Sequence, residues 1–165
     1  PKAESAQRTL AALNPAIHIT PIARVLDRAA LREQAGLADV VVDCTDDLQT
    51  RLLVNEACVR TRTPLVSGAA IRLEGQLLVW RPDRPQSPCC RCLYPEPGEI
   101  HDTCTRSGVL GPVAGIIGSL QAVETVKLIV GMGETLTGRL LLLDAATLEW
   151  HEIAVRQDPA CPVCA

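Results

Sequence analysis

Apolar and polar positions along the chain alternate between helical and extended spacing from the first residues. Ala6, Leu10 and Leu13 recur at helical spacing, and Asn14-Pro15 closes that predicted helix over 3–13. Ile17 and Ile19 alternate with polar neighbours and predict a strand over 17–22. Asp27 then stands as the cap of a helix over 28–34, closed by Gly36. Val40, Val41 and Val42 follow without alternation, between Asp39 and Asp43, as in a strand covered on both faces within a parallel sheet. Residues 48–60 predict an amphipathic helix whose core face is Leu52, Leu53, Ala57 and Val59. A short apolar strand over 64–70 precedes an alternating one over 73–80 that should pair antiparallel with a neighbour. Pro and Cys crowd residues 82–98, which predicts irregular chain. Pro112 opens a long apolar helix through Ile116, Leu120, Val123, Val126 and Ile129, ending at Gly131 and Gly133. Residues 138–143 and 148–155 flank Asp144–Thr147 as a closing hairpin. Helix and strand thus succeed one another in the rhythm of an α/β doubly wound sheet with an antiparallel extension.

Composition narrows the reading. Among 165 residues, 47% are hydrophobic and 21% charged, which describes one globular domain over 1–165. With no Phe, one Tyr and two Trp, the core must be aliphatic. A net charge of −3 excludes a nucleic-acid binder that works by neutralising phosphates. No apolar run is read as a membrane span and no signal peptide opens the chain, so a cytoplasmic location without membrane contact is expected. The only methionine is Met132 and the chain opens at Pro1-Lys2 directly on a helix, so it is expected to be part of a longer protein.

The acids after the valine run carry two readings. At the carboxyl end of a strand in an open α/β sheet, Asp43, Asp46 and Asp47 would face the ligand crevice, where cations and phosphates are handled. Thr45, Asp46 and Asp47 also fit a helix N-cap with acids in its first turn. Lys2, Arg51 and Arg72 are charges near predicted element ends, each also readable as a solvated surface residue. His18, His101 and His151 are scattered and form no catalytic order.

Eight cysteines add the strongest spacing signal. Cys89-x-x-Cys92 and Cys161-x-x-Cys164 are knuckles that let both thiolates of a pair point at one tetrahedral centre. A structural four-thiolate zinc is the expectation, with a disulfide framework as the competing one. Cys90 lies inside the first knuckle and competes for the ligand assignment. Cys104, in His101–Gly108 beside Arg106, reads either as a nucleophile or as an incidental surface thiol. Cys44 and Cys58 sit in apolar segments and read as core residues.

Asp43-Cys44-Thr45-Asp46, Ser67–Gln76, Cys89-Cys90-Arg91-Cys92-Leu93, Gly108–Pro112, Gly118–Ala122 and Cys161-Pro162-Val163-Cys164 form one ordered series. In these motifs the chain resembles the ThiF/MoeB/HesA family, bacterial relatives of ubiquitin-activating enzymes, over essentially its whole length. Within that family the resemblance leans toward the molybdopterin type, with the thiamine type next. The resemblance implies the C-terminal part of a Rossmann-like doubly wound sheet with an antiparallel extension and a structural zinc site. It implies ATP- and magnesium-dependent adenylylation of the C-terminal glycine of a ubiquitin-like sulfur carrier ending in Gly-Gly, by a homodimer. By resemblance Lys2 contacts the ATP phosphates, Asp46 binds magnesium and Arg51 lines the same crevice. Cys89, Cys92, Cys161 and Cys164 match the zinc ligands, and Cys104 the crossover-loop cysteine that links to the carrier or passes sulfur. Asp47 departs from the asparagine expected there. No G-x-G-x-x-G precedes Lys2, so the pyrophosphate cradle is expected upstream of this chain. A second reading follows from that gap: a non-catalytic, zinc-stabilised module that docks the carrier.

Overall fold

A computed structural model of the chain describes residues 1–94 and 107–165. The elements run α1 (Lys2–Leu13), α2 (Arg28–Gly36), β1 (Val41–Asp43), α3 (Leu48–Thr61), β2 (Leu65–Ile71) and β3 (Glu74–Trp80). After them come α4 (Cys90–Leu93), α5 (Gly111–Val130), β4 (Arg139–Asp144) and β5 (Glu149–Ala154). The strand expected over 17–22 does not form. Ile17 and Ile22 are exposed there, and alternation cannot make a strand where no neighbour among the described residues supplies the ladder of hydrogen bonds. Residues 82–94, expected to be irregular throughout, contain the single helical turn of α4.

The strands form one sheet in the order β1-β2-β3-β4-β5. Only β1 and β2 are parallel, with Val41 opposite Leu65, and the other pairs are antiparallel. Successive side chains of a strand point to opposite faces, and here both faces are covered. Leu65, Leu78 and Trp80 pack with Ala57 and Cys58 of α3 on one face. Val66, Leu77 and Val79 pack toward Leu120 and Leu128 of α5 on the other. This accounts for the apolar run of β2, which lies between two helical layers. β1 is at the sheet edge and Val42 is 43% exposed, so the valine run is not covered on both faces as expected.

The buried stripe of α3 differs from the expected one. Ala57 is buried and Leu52, Leu53 and Val59 are partly so, but the stripe also buries Arg51, Asn55 and Cys58, about one helical turn apart. Two polar groups lie there because each meets a partner, as described below.

α5 approaches the sheet through Val113, Ile117, Gln121 and Glu124. The approach needs glycine at position 75, where a Cβ would stand 2.6 Å from Ile117 Cδ1. Ile116, Val123, Val126 and Ile129 face outward. By length and composition alone α5 qualifies as a membrane span, which corrects the expectation that no run reaches that length. Its sheet side carries polar groups bonded to the surrounding chain, the mark of a helix seated in a core. Glu124, 4% exposed, accepts from the Leu136 backbone N–H at 2.8 Å and from Lys127 Nζ at 2.5 Å. Glu124→Ala would leave that buried N–H without an acceptor, at a cost of about 1–3 kcal/mol. Glu124→Gln keeps an acceptor and should retain most of the stability. Equal midpoints for the two variants in denaturant would refute this account.

Candidate functional site

The acids at the end of β1 divide between the two readings. Asp43 is 2% exposed and fully engaged. Its Oδ2 accepts from Arg51 Nε at 3.2 Å and Ser67 Oγ at 2.8 Å. Its Oδ1 accepts from the Thr45 N–H at 2.9 Å and the Thr45 hydroxyl at 2.7 Å. Asp47 is the N-cap of α3 and accepts from the Thr50 N–H at 2.8 Å. Partial burial raises its pKa, but hydrogen bonds from Thr50 and Gln49 outweigh that and hold it below the ordinary carboxylate range. Asp46, between these two anchored acids, is exposed and has no hydrogen-bond or ion-pair partner among the described residues.

Arg51 stabilises this turn from beneath. It is buried, and its Nη2 donates to the Thr45 carbonyl at 2.7 Å and toward the Gly68 carbonyl at 3.5 Å. Its Nε–Asp43 bond and these contacts tie the end of β1, the turn before α3 and β2 to one side chain. Lys2 begins α1, a helix with no buried residue, and no hydrogen bond or ion pair joins it to Asp46 or Arg51. Arg72 lies at the β2–β3 turn with φ 51°, where its backbone exchanges hydrogen bonds with Gly108 and Leu110. Cys104 and His101 lie outside the described residues.

The second cluster is metallic in character. The sulfurs of Cys89, Cys92, Cys161 and Cys164 all lie within 4.8 Å of one another. Cys89 and Cys161 are 3.8 Å apart and Cys92 and Cys164 3.5 Å, so these pairs are free thiols, not disulfides. A tetrahedral zinc with Zn–S near 2.3 Å requires S···S separations of about 3.8 Å. The donor set therefore fits zinc. The single turn of α4 brings Cys89 and Cys92 to one side, while Cys161 and Cys164 arrive from the irregular segment after β5. Burial pushes the metal-free thiol of Cys89 up to about 12 and those of Cys92 and Cys164 up to about 11, so a cation is what would hold them as thiolates. The sulfurs also receive N–H donors: Asp158 N to Cys92 at 3.5 Å and Gln157 Nε2 to Cys164 at 3.7 Å.

Cys90 is excluded from the cluster. Its thiol is buried and pushed up to about 12 by that burial, and its sulfur is not one of the four that converge. Cys58 is wholly buried, as expected of a core residue. Cys44 is not a core residue: its thiol is exposed and donates to Gln121 Oε1 at 3.3 Å.

Three positioning residues escaped the sequence reading: Ser67, Gln121 and Asn55. Gln121 Nε2 donates to the Asp43 carbonyl at 2.8 Å, reaching it from α5 across Gly68. A Cβ at Gly68 would stand 2.4 Å from Gln121 Cδ, so only glycine admits the amide. The available signal was a lone amide four residues after Ile117, on the core side of an apolar helix.

Residues 1–163 match the ThiF family. The chain is 43% identical over 164 residues to the sulfur carrier protein ThiS adenylyltransferase of Escherichia coli, covering 99% of this chain and 64% of that protein. It is also 43% identical over 164 residues to the Escherichia coli molybdopterin-synthase adenylyltransferase, covering 99% and 66%. Equal identity gives no preference between the molybdopterin and thiamine types. The chain thus spans about two thirds of these relatives' length. In fold it is similar to the crystal structure of Escherichia coli MccB with succinimide, with a TM-score of 0.82, 22% identity, and coverage of 99% of this chain and 50% of that one. With the family matched across the acid turn and three of the four clustered cysteines, this chain belongs to the ThiF family.

Proposed function

We propose that the complete protein uses ATP to adenylylate the C-terminal glycine of a ubiquitin-like sulfur carrier, releasing pyrophosphate. The names of its bacterial relatives support the general activity, since both are adenylyltransferases and each aligns with 99% of this chain. The observation that carries the chemistry is Asp46. It is an exposed carboxylate without a charge partner among the described residues, held between a buried, hydrogen-bonded Asp43 and a helix-capping Asp47. Magnesium is commonly held by one or two carboxylates together with substrate phosphates, so Asp46 is the residue that would hold it. Bound there, the ion would neutralise phosphate charge.

In this reading Arg51 works as a positioning residue, since its Nε and Nη2 are engaged by Asp43, Thr45 and Gly68. Lys2 supplies charge to the ATP phosphates, and Cys104 the thiol that meets the activated carrier. Four cysteines leave a zinc no open position, so that site holds chain segments together and takes no part in the chemistry. The reading includes a homodimer and a cytoplasmic location.

ATP–pyrophosphate exchange tests it, with magnesium and purified carriers ending in Gly-Gly, on this chain and on the full-length gene product. Exchange is expected in the longer protein and to depend on carrier and magnesium. Its absence from both, with fold and zinc intact, would instead support a carrier-docking module without adenylyltransferase activity.

A further inference from the structure

We propose that Asn55 is the positioning residue of the four-cysteine metal centre, acting through Cys89 and through the backbone of Cys90. The proposal rests on the reading of that cluster as a zinc site.

Asn55 lies in the middle of α3 and is 0% exposed. A carboxamide buried so completely costs stability unless both its ends are bonded. Two consecutive residues of the first knuckle satisfy both. Its Oδ1 accepts from the Cys90 N–H at 2.9 Å. Its Nδ2 donates to the Cys89 sulfur at 3.6 Å. The Cys90 N–H fixes the orientation of the amide, because the flipped form would set two donors against each other. The N–H therefore points at Cys89. A metal-bound thiolate carries more charge than a thiol and accepts such a bond more strongly, and partners of this kind orient ligands in metal sites generally.

Position along α3 gives the arrangement its reach. Arg51, one turn before Asn55, bonds Asp43, and Asp43 accepts from Ser67. On successive turns α3 thus carries Arg51, which bonds the strand end below Asp46, and Asn55, which bonds the knuckle. An apolar residue at position 55 would fill the space and leave the Cys90 N–H without its acceptor.

The test compares the full chain with Asn55→Leu and Asn55→Asp by competition for zinc against a chromophoric chelator. Folding is followed by circular dichroism, and the thiolate-to-metal band is recorded with Co(II) in place of zinc. Asn55→Leu should bind zinc about 10- to 100-fold more weakly. Asn55→Asp keeps the shape and the acceptor for Cys90 but loses the donor to Cys89. It should bind at least about 10-fold more weakly and shift the Co(II) band. A folded variant of either kind with the parent's affinity and an unshifted band overturns the proposal. If Asn55→Leu fails to fold, the near-isosteric Asn55→Asp decides alone. A parent chain that takes up no zinc overturns instead the zinc reading on which the proposal stands.

Discussion

Asp46→Ala in the complete protein is expected to lower ATP–pyrophosphate exchange by about 100- to 1,000-fold, the usual loss when one group that stabilises developing charge is removed. The fold should be untouched. Asp46 is exposed and makes no hydrogen bond among the described residues, while the capping of α3 belongs to Asp47. The neighbouring variant separates the two acids: Asp47→Ala should cost about 1 kcal/mol of stability, as lost caps do, with a far smaller loss of exchange. Wild-type exchange by the Asp46→Ala protein would remove the assignment. Asp43 gives no such separation. Its carboxylate accepts four bonds and pairs with buried Arg51, so replacing it strands a buried charge and unfolds the region before activity can be read.

Removal of zinc is expected to have the largest effect on stability. With free zinc 1,000-fold above its dissociation constant, binding to the folded state alone contributes about 4 kcal/mol. For a chain of this size that corresponds to a fall in Tm of about 8–16 °C on chelation. Cys161→Ser should reproduce the fall, because the segment after β5 then loses its link to α4. Cys90→Ala should retain zinc, since its sulfur is not among the four that converge. An unchanged Tm in metal-free protein would refute the structural role. The pH dependence has a definite sign. Burial raises the metal-free thiols of Cys89, Cys92 and Cys164 well above neutrality, so zinc must displace their protons. Apparent zinc affinity should therefore rise with pH across the neutral range and fall on acidification.

Local chemistry made much of this protein legible in its sequence. The Cys-x-x-Cys spacings named the four cysteines whose sulfurs the fold brings within 4.8 Å of one another, because two intervening residues let a pair of thiols point at one centre wherever the knuckles lie. The valine run announced a strand, though not its exposed Val42 at the sheet edge, and Asp27 announced a cap, which its side chain makes by accepting from the Ala30 N–H at 2.8 Å. Pro112 and Gly131 marked the ends of α5, since one lacks a donor that is not needed there and the other tolerates φ of 70°. The order of motifs was enough to place the family.

Tertiary structure decided whatever depended on partners distant in the chain. Whether residues 17–22 became a strand depended on a neighbour to bond with, and none is present among the described residues. Whether Asp43, Asp46 or Asp47 was free to act depended on Arg51 and Ser67 arriving from other elements, which left one acid of the three without a partner among the described residues. The face α3 buries was misjudged because hydrophobicity predicts burial only for groups without partners. Arg51 and Asn55 are buried deeper than Leu52 or Leu53 because Asp43, Cys89 and Cys90 satisfy them there. Periodicity reports which side chains water rejects. Only the folded chain determines which polar ones have somewhere better than water to go.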